Sequence, residues 1–409
     1  MIVYAQPMST HQKMRYCTKC TYPVVAVNLS MRDDGMCSGC VVHEEKDNID
    51  WDAREAEFRE LLYSYRSPDG SNYDLIVPVS GGKDSHFQVW YVKEKLGLNP
   101  LLFTYYSYNF PPTGDENMRN LSRAFGVDHY VFTPSLEMVR KMNRAGFKKT
   151  GDMNWHYHCG IWTHVFQIAV NFKVPLVLYG EHGFLDLAGQ YSLQDRPEYT
   201  IRDRKESGLR GYDWYDFVGM EGLTEKDLLW AKNPSDADVE RIGVRGIFMG
   251  NYVYWDGDKN AIEMKKYGFK PSPIPFARTY RLTSNVDDIN ENGVKDWLKF
   301  VKFGYGRCTD HTSKDIRLGK MTREKGIELI KQYDHVVGDE SLAHFLNIAQ
   351  MEEGEFFRTA DTFRDPRVWW IENGEWWKDT IWGEPASYGK VHLSDEDAKK
   401  YVREKAVAH

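Results

Sequence analysis

The chain has 409 residues, 42% hydrophobic and 28% charged, with Lys+Arg 53 against Asp+Glu 60 for a formal net charge of -7. This length allows two or three domains around a sizeable core, and the acidic balance argues against nucleic acid as a partner, although a local basic patch stays open. No stretch approaches the roughly 18 apolar residues of a membrane span, and Met1–Lys13 lacks the basic start and apolar run of a secretory signal, so no membrane association and a cytoplasmic location are expected.

Residues 1–50 are turn-rich and carry Cys17, Cys20, Cys37 and Cys40. Two C-x2-C knuckles, 16 residues apart, can place four thiolates tetrahedrally around one Zn²⁺. Four sulfurs leave no open position, so the metal is expected to be structural. A C-x-x-C pair also serves thiol exchange, but two pairs in one small module favour a zinc ribbon. Trp51–Leu62 then reads as an amphipathic linker helix, with Trp51, Phe58, Leu61 and Leu62 at near-helical spacing.

From Tyr73 the pattern alternates strand, turn and helix. Leu75–Val79, Leu101–Tyr106, His129–Thr133 and Leu176–Tyr179 read as strands. His86–Leu96, Glu116–Phe125 and Ile161–Phe172 read as helices. Such alternation predicts an α/β fold with a parallel sheet covered on both faces, over a domain of residues 51–260. Ligands in such sheets sit at the carboxyl ends of the strands, where Ser80 and Gly180 fall. The run Ser80-Gly81-Gly82-Lys83-Asp84-Ser85 lies between a strand and a helix. Its glycines let the backbone approach an anion, and the following helix offers free N–H groups and a positive dipole end. Ser80 and Ser85 add hydroxyls and Lys83 a charge, while Asp84 can orient the loop or share Mg²⁺ with phosphates. The run is neither G-x-x-x-x-G-K-[ST] nor G-x-G-x-x-G.

After about residue 185 the β/α rhythm stops, and residues 190–260 read as loop-like, with Arg196, Arg202, Arg204 and Arg210. Residues 261–409 read as a mainly helical C-terminal substrate or partner region. Helices are expected over Val294–Phe303, Arg323–Tyr333 (with Thr322 as N-cap) and Ser341–Met351, and Asn373-Gly374 between tryptophan pairs signals a β-hairpin. The 13 Trp and 25 Tyr serve core and amphipathic surface, or else a stacking surface for rings. Cys159, beside His156 and His158, and Cys308 are read as small buried residues, with an activated nucleophile as the alternative; the two histidines are also candidates for polar contacts to substrate.

The loop Ser80–Ser85 resembles the PP-loop of the ATP pyrophosphatase superfamily, whose fold is Rossmann-like (adenine nucleotide alpha hydrolase-like). That resemblance implies ATP and Mg²⁺, with Lys83 and Asp84 in catalysis. Ser80, Gly81, Gly82, Lys83, Asp84 and Ser85 would contact the nucleotide, flanked by Thr104 at the second strand's end and by Gly180 and Glu181. The zinc ribbon, the PP-loop, the segment Arg278–Asp288, the segment Lys302–His311 and Ser313–Arg317 together are similar to the N-acetyl sugar amidotransferases of O-antigen and flagellin-glycan pathways. The similarity spans about Arg15 to Tyr333.

The amidotransferase resemblance implies adenylylation of an acetamido oxygen, then displacement of AMP by ammonia to give an acetamidino group. Ammonia would come from a separate HisH-like glutaminase, often with a HisF-like subunit, because this chain has neither an N-terminal Cys nor a Gly-x-Cys-x-Gly elbow. Arg278, Arg281, Arg307 and Arg317 are candidates for an anionic nucleotide-sugar, since guanidinium pairs match carboxylate or phosphate. The competing expectation is that they pair with Asp287, Asp288, Asp310 and Asp315. The rival function is a PP-loop tRNA sulfurtransferase, which needs a basic surface and a persulfide-carrying Cys. A non-enzymatic zinc-ribbon module would leave the phosphate loop unexplained.

Overall fold

The computed structural model describes residues 13–401; residues 1–12, most of the stretch read for a secretory signal, lie outside this range, as do 402–409. Among the described residues no helix is long and apolar enough to cross a membrane. The chain starts with the cysteine-bearing module, which closes on α1 (Ser38–Glu45), and the linker helix α2 (Trp51–Ser64) follows, capped by the Asp50 side chain on Ala53 N.

The central unit then runs β1 (Leu75–Pro78), α3 (Lys83–Trp90), β2 (Pro100–Tyr105), α4 (Pro112–Phe125) and β3 (Asp128–Phe132). It continues through α5 (Leu136–Thr150), α6 (Trp155–Cys159), α7 (Val165–Phe172), β4 (Leu176–Tyr179), α8 (Gly183–Ala188), α9 (Asp236–Ile242), β5 (Arg245–Phe248) and α10 (Gly257–Met264). The five strands form one parallel sheet in the order β3-β2-β1-β4-β5. Ile76 of β1 lies opposite Leu101 of β2 on one side and Val177 of β4 on the other. Strand residues alternate between two cores, as period-2 geometry requires. Leu75, Val77, Leu102, Leu176 and Leu178 enter one; Ile76, Leu101, Phe103, Val177 and Tyr179 enter the other. The order reverses between β1 and β4, so their carboxyl ends open a crevice at the switch point.

One expectation needs correction: the sheet does not end near residue 185. After a long irregular stretch, β5 pairs in parallel with β4, Val177 opposite Gly246. This strand is four residues long and holds Gly246, whose carbonyl accepts from Tyr199 N at 2.8 Å, so sequence periodicity had little to register.

The C-terminal region is helical: α11 (Asn290–Phe303), α12 (Arg307–Arg317), α13 (Arg323–Tyr333), α14 (Asp339–Ala349) and α15 (Glu353–Asp361). Val294, Trp297 and Val301 of α11 pack with Phe345 and Phe356, and also with Phe147 and Met153 of the α/β unit. A small sheet of β6 (Trp369–Glu372), β7 (Glu375–Lys378) and β8 (Ala386–Lys390), then α16 (Asp395–Ala398), ends the described chain. Asn373 (φ 53) and Gly374 (φ 76) make the tight turn between β6 and β7, the left-handed pair that the Asn-Gly signal predicts. Trp155, Trp369 and Trp376 are fully buried, so these aromatics serve packing.

Candidate functional site

The loop after β1 is held by its own side chains. Ser80 N–H donates to Ser85 Oγ at 3.0 Å, and His86 N–H to Gly82 O at 3.0 Å. Gly81 has φ +90, and a Cβ there would stand 2.6 Å from Met118 N and 2.8 Å from Met118 Cα on α4. Both the backbone angle and the close approach therefore require glycine. Gly82 caps α3 with an extended backbone, which leaves the first amides of that helix without carbonyl partners inside it. Lys83 Nζ pairs with Asp84 Oδ2 at 2.5 Å, and Asp84 Oδ1 accepts from Asn260 Nδ2 of α10 at 3.1 Å.

Ser80, Gly82, Lys83, Asp84 and Ser85 line a cavity of about 340 Å³. Glu181, just past β4, joins them there, and burial followed by the charge of Asp84 raises its carboxyl above the usual range. Gly81, Thr104 and Gly180 stand behind the lining rather than in it. Thr104 Oγ1 donates to Val79 O at 2.5 Å and braces the loop from below. A Cβ on Gly180 would meet Gln88 Nε2 at 2.8 Å.

The opposite wall comes from elsewhere in the chain: the segment Arg281–Asp287, the helix α12, and His43 and Lys46 of the N-terminal module. Of the four arginines singled out from sequence, Arg281, Arg307 and Arg317 line the cavity and Arg278 does not. Each is already engaged. Arg278 Nε pairs with Asp296 at 2.6 Å in full burial. Arg281 is bound to Asp315, which also accepts from Tyr280. Arg307 bridges Asp296 (2.9 Å) and Asp310 (3.4 Å). Arg317 donates to Asp186 O and Leu187 O and lies 3.4 Å from Cys40 Sγ and 3.5 Å from Cys37 Sγ.

Cys17, Cys20, Cys37 and Cys40 have their sulfurs within 4.8 Å of one another, all fully buried. The pairs Cys17–Cys40 and Cys20–Cys37 stand at 3.9 and 3.5 Å. A tetrahedron with Zn–S of about 2.3 Å has edges of about 3.8 Å, so this donor set fits Zn²⁺. The module is welded to the cavity wall. Tyr22 OH donates to Asp310 Oδ1 at 2.8 Å, and Thr21 Oγ1 meets Ser313 Oγ at 2.9 Å. Lys46 and Lys314 of α12 converge on Asp186 of α8 at 3.6 and 2.5 Å.

Two acids that sequence reasoning treated only as ion-pair partners stand out. Asp287 lines the cavity, and burial pushes its carboxyl up to about 6, against the hydroxyl of Ser80 and the charges of Arg278 and Lys83. Asp288 behind it reaches about 7 through burial and the neighbouring Asp287, while accepting from Glu291 N at 2.9 Å. His156 is fully buried and bonded to Tyr105 OH at 3.0 Å, away from the cavity lining. Cys159 and Cys308 are fully buried and also outside it; burial pushes the Cys159 thiol up to about 12 and that of Cys308 higher still.

Residues 263–381 match the family model described as LPS biosynthesis protein WbpG-like, C-terminal domain. The match takes in all four arginines and Asp287, so it coincides with the resemblance drawn from the motifs between Arg278 and Arg317. No protein of curated function matches the chain. Among solved structures, an NMN synthetase from Francisella tularensis is similar at 12% identity and TM-score 0.34, covering 74% of this chain and 94% of that one. An NH3-dependent NAD synthetase from Campylobacter jejuni subsp. jejuni, in complex with the nitrate ion, is similar at 11% and 0.27, covering 55% and 99%. A predicted subunit of tRNA methyltransferase from Methanocaldococcus jannaschii is similar at 20% and 0.22, covering 41% and 85%. The fold assignment rests on the sheet order and the phosphate loop rather than on these likenesses.

Proposed function

We propose that this PP-loop protein with a WbpG-like C-terminal region is an ATP-dependent amidotransferase, forming AMP and pyrophosphate. It converts the acetamido group of a nucleotide-linked N-acetyl sugar into an acetamidino group, in lipopolysaccharide or related surface-glycan biosynthesis. One observation carries the reading: the phosphate loop and the Arg281–Arg317 stretch of the WbpG-like region line a single cavity. In this reading a nucleotide's phosphates and the group they activate meet there.

ATP supplies the adenylyl group: the acetamido oxygen bonds to the α-phosphorus as the bond to pyrophosphate breaks. Ammonia then bonds to the activated carbon, gives up a proton, and the C–O bond to AMP breaks. The chain's own work is positioning and charge stabilisation. The free amides at the start of α3 and the Lys83 ammonium face the departing pyrophosphate. Asp84 and Glu181, the latter raised by burial and then by the Asp84 charge, are the residues that would hold Mg²⁺ with those phosphates. Asp287, near neutrality in its proton affinity, suits the acceptance of the proton that ammonia releases. Zn²⁺ at the four cysteines is structural in this reading. Ammonia arrives from a separate HisH-like glutaminase, with a HisF-like subunit beside it.

The sulfurtransferase reading is weaker on this structure. A persulfide carrier needs an accessible thiol of lowered pKa, and Cys159 and Cys308 are neither. The test is incubation of the full chain with ATP, Mg²⁺, ammonium and a panel of nucleotide-linked acetamido sugars, read by mass spectrometry. Equal yields of AMP, pyrophosphate and a sugar with oxygen replaced by NH are expected, with glutamine inactive as sole nitrogen source. Stoichiometric ADP, or turnover without ammonium, would defeat the proposal.

A further inference from the structure

The arginines that line the cavity are matched by acids or by the cysteine cluster, so they leave little charge for a new anion. A second group of cations lies just beyond Arg307 and is only partly matched. Helix α11 carries Lys295, Lys299 and Lys302 at i, i+4 and i+7, one face of the helix. Lys299 is satisfied by both oxygens of Asp310, at 2.7 and 2.6 Å. Lys295 makes its one hydrogen bond among the described residues to a neutral acceptor, His158 Nε2 at 2.8 Å. Lys302 makes no hydrogen bond or ion pair among the described residues; its ammonium stands 5.6 Å from the centroid of the Phe303 ring.

Arg210 reaches the same point from the irregular stretch before β5, placing Nη2 3.1 Å from His158 Nε2. A single imidazole lone pair is thus shared by two cations. The carboxylate paired within this group is Asp152, bound to Arg210. Asp296, next to Lys295 in the chain, is already shared by Arg278 and Arg307. Arg210 also holds φ 58, a left-handed backbone uncommon outside glycine, which places its side chain at a local cost that the surrounding fold sustains.

We propose that Arg210, Lys295 and Lys302, gathered around His158, form a second anion site, for a phosphoryl group of two or more charges, separate from the phosphate loop. The electrostatics agree. Burial, and then Arg210, pushes the Lys295 ammonium down to about 7. Burial, then Arg210 and Lys295, pushes Lys302 well below its usual range. A bound dianion removes that conflict. The group is reachable, with the Arg210 side chain 32% exposed and His158, Lys295 and Lys302 half-buried. It also adjoins the cavity: Tyr157 and Arg307 line that cavity, and the Arg307 charge acts on both His158 and Lys295. Three cations around one imidazole suit a small phosphorylated ligand rather than a duplex surface. The site does not depend on the reaction proposed above; the identification of its ligand with the diphosphate of a sugar carrier rests on that reading.

The test uses the full chain with its phosphate loop saturated by a non-cleavable ATP analogue. Binding of pyrophosphate, of UDP-N-acetylglucosamine and of free N-acetylglucosamine is then measured by calorimetry. The site predicts that pyrophosphate binds, that affinity falls with salt, and that Lys295→Gln and Lys302→Gln each weaken it by about 10- to 100-fold. Affinity for the ATP analogue should not change. Both variants should unfold no earlier than wild type without ligand, because each removes a repelled cation; this separates a lost site from a lost fold. UDP-N-acetylglucosamine that competes with pyrophosphate, where the free sugar does not, assigns the sugar carrier as source. Equal pyrophosphate binding by wild type and both variants overturns the site, as does tRNA binding that the same substitutions abolish. Amidination with a KM for the nucleotide-sugar untouched by Lys302→Gln overturns the sugar carrier as the ligand and leaves the reaction standing. Variant-sensitive pyrophosphate binding without amidination supports the site and defeats the reaction.

Discussion

The two walls of the cavity are assembled on opposite plans. The phosphate-loop wall is the run Ser80–Ser85, the turn after β1 and the first residues of α3, and backbone geometry shapes it. Its function follows from where N–H groups and Gly81 are forced to lie. The facing wall draws on His43, Lys46, the Arg281–Asp287 segment and α12, and side-chain charge pairs together with the cysteine cluster hold it in place. A backbone-built wall tolerates changes in distant side chains and fails at single glycines. A wall built from side chains depends on a remote module, and its arginines are held in place by acids and by the cysteine cluster.

The largest effect should come from breaking the anchor of the second wall. Cys20→Ser should release the metal and cost about 4–5 kcal/mol or more. Metal analysis and thermal unfolding check this. Turnover should fall with it because Lys46 and Arg317 lose their support; a variant that keeps full activity without metal would detach the module from the site.

Next comes the first wall. Gly81→Val places a Cβ against Met118 backbone at positive φ, a strain of about 1–3 kcal/mol before the collision is counted. Nucleotide affinity should drop by at least about 100-fold, a cost near 3 kcal/mol, while the metal content stays at wild-type level. Calorimetry with an ATP analogue reads the first and metal analysis the second.

A smaller, sharper contrast separates recognition from structure within the arginines. Arg281→Lys should raise the KM for the sugar by about tenfold, since Lys cannot reproduce the guanidinium fork, and should leave ATP affinity intact. Arg278→Lys, outside the cavity, should lower Tm and leave that KM unchanged. Identical kinetic effects from both would erase the distinction.

The smallest effect concerns pH. Asp288 is held up to about 7 by burial and Asp287, above its ordinary 3.8. Between about pH 4 and 7 the folded protein keeps a proton that the unfolded chain has released, so Asp288 adds stability as pH falls through that window. Asp288→Asn, which keeps an oxygen for Glu291 N, should therefore be the more stable protein near pH 8. Its advantage should shrink by about pH 5 in thermal unfolding scans.

The sequence was most readable where structure is local. The loop Ser80–Ser85, the strands from Leu75 to Tyr179, the Asn373-Gly374 turn and the cysteine knuckles all carry their geometry in neighbouring residues. Four residues after a long irregular stretch give β5 no period to read, and α12, whose buried face is polar, shows in the sequence as a motif rather than a helix. The arginines were readable as residues and, for Asp315 with Arg281 and Asp310 with Arg307, as ion-pair partners too; that Arg278 belongs to Asp296 and Arg317 to the thiol cluster follows only from tertiary packing. The unmatched cations did leave a trace, in the helical spacing of Lys295, Lys299 and Lys302. Nothing local says that Lys299 alone has an acid to meet.

Following the acetamido oxygen tests the central claim most directly. A nucleotide-linked acetamido sugar carrying heavy oxygen in its acetyl carbonyl is incubated with the full chain, ATP, Mg²⁺ and ammonium, and the products are resolved by mass spectrometry. If the phosphate loop delivers an adenylyl group to that oxygen, the label is recovered in AMP, one atom for each acetamidino group formed. Label recovered in water or orthophosphate, or unlabelled AMP beside an amidinated sugar, would contradict the account.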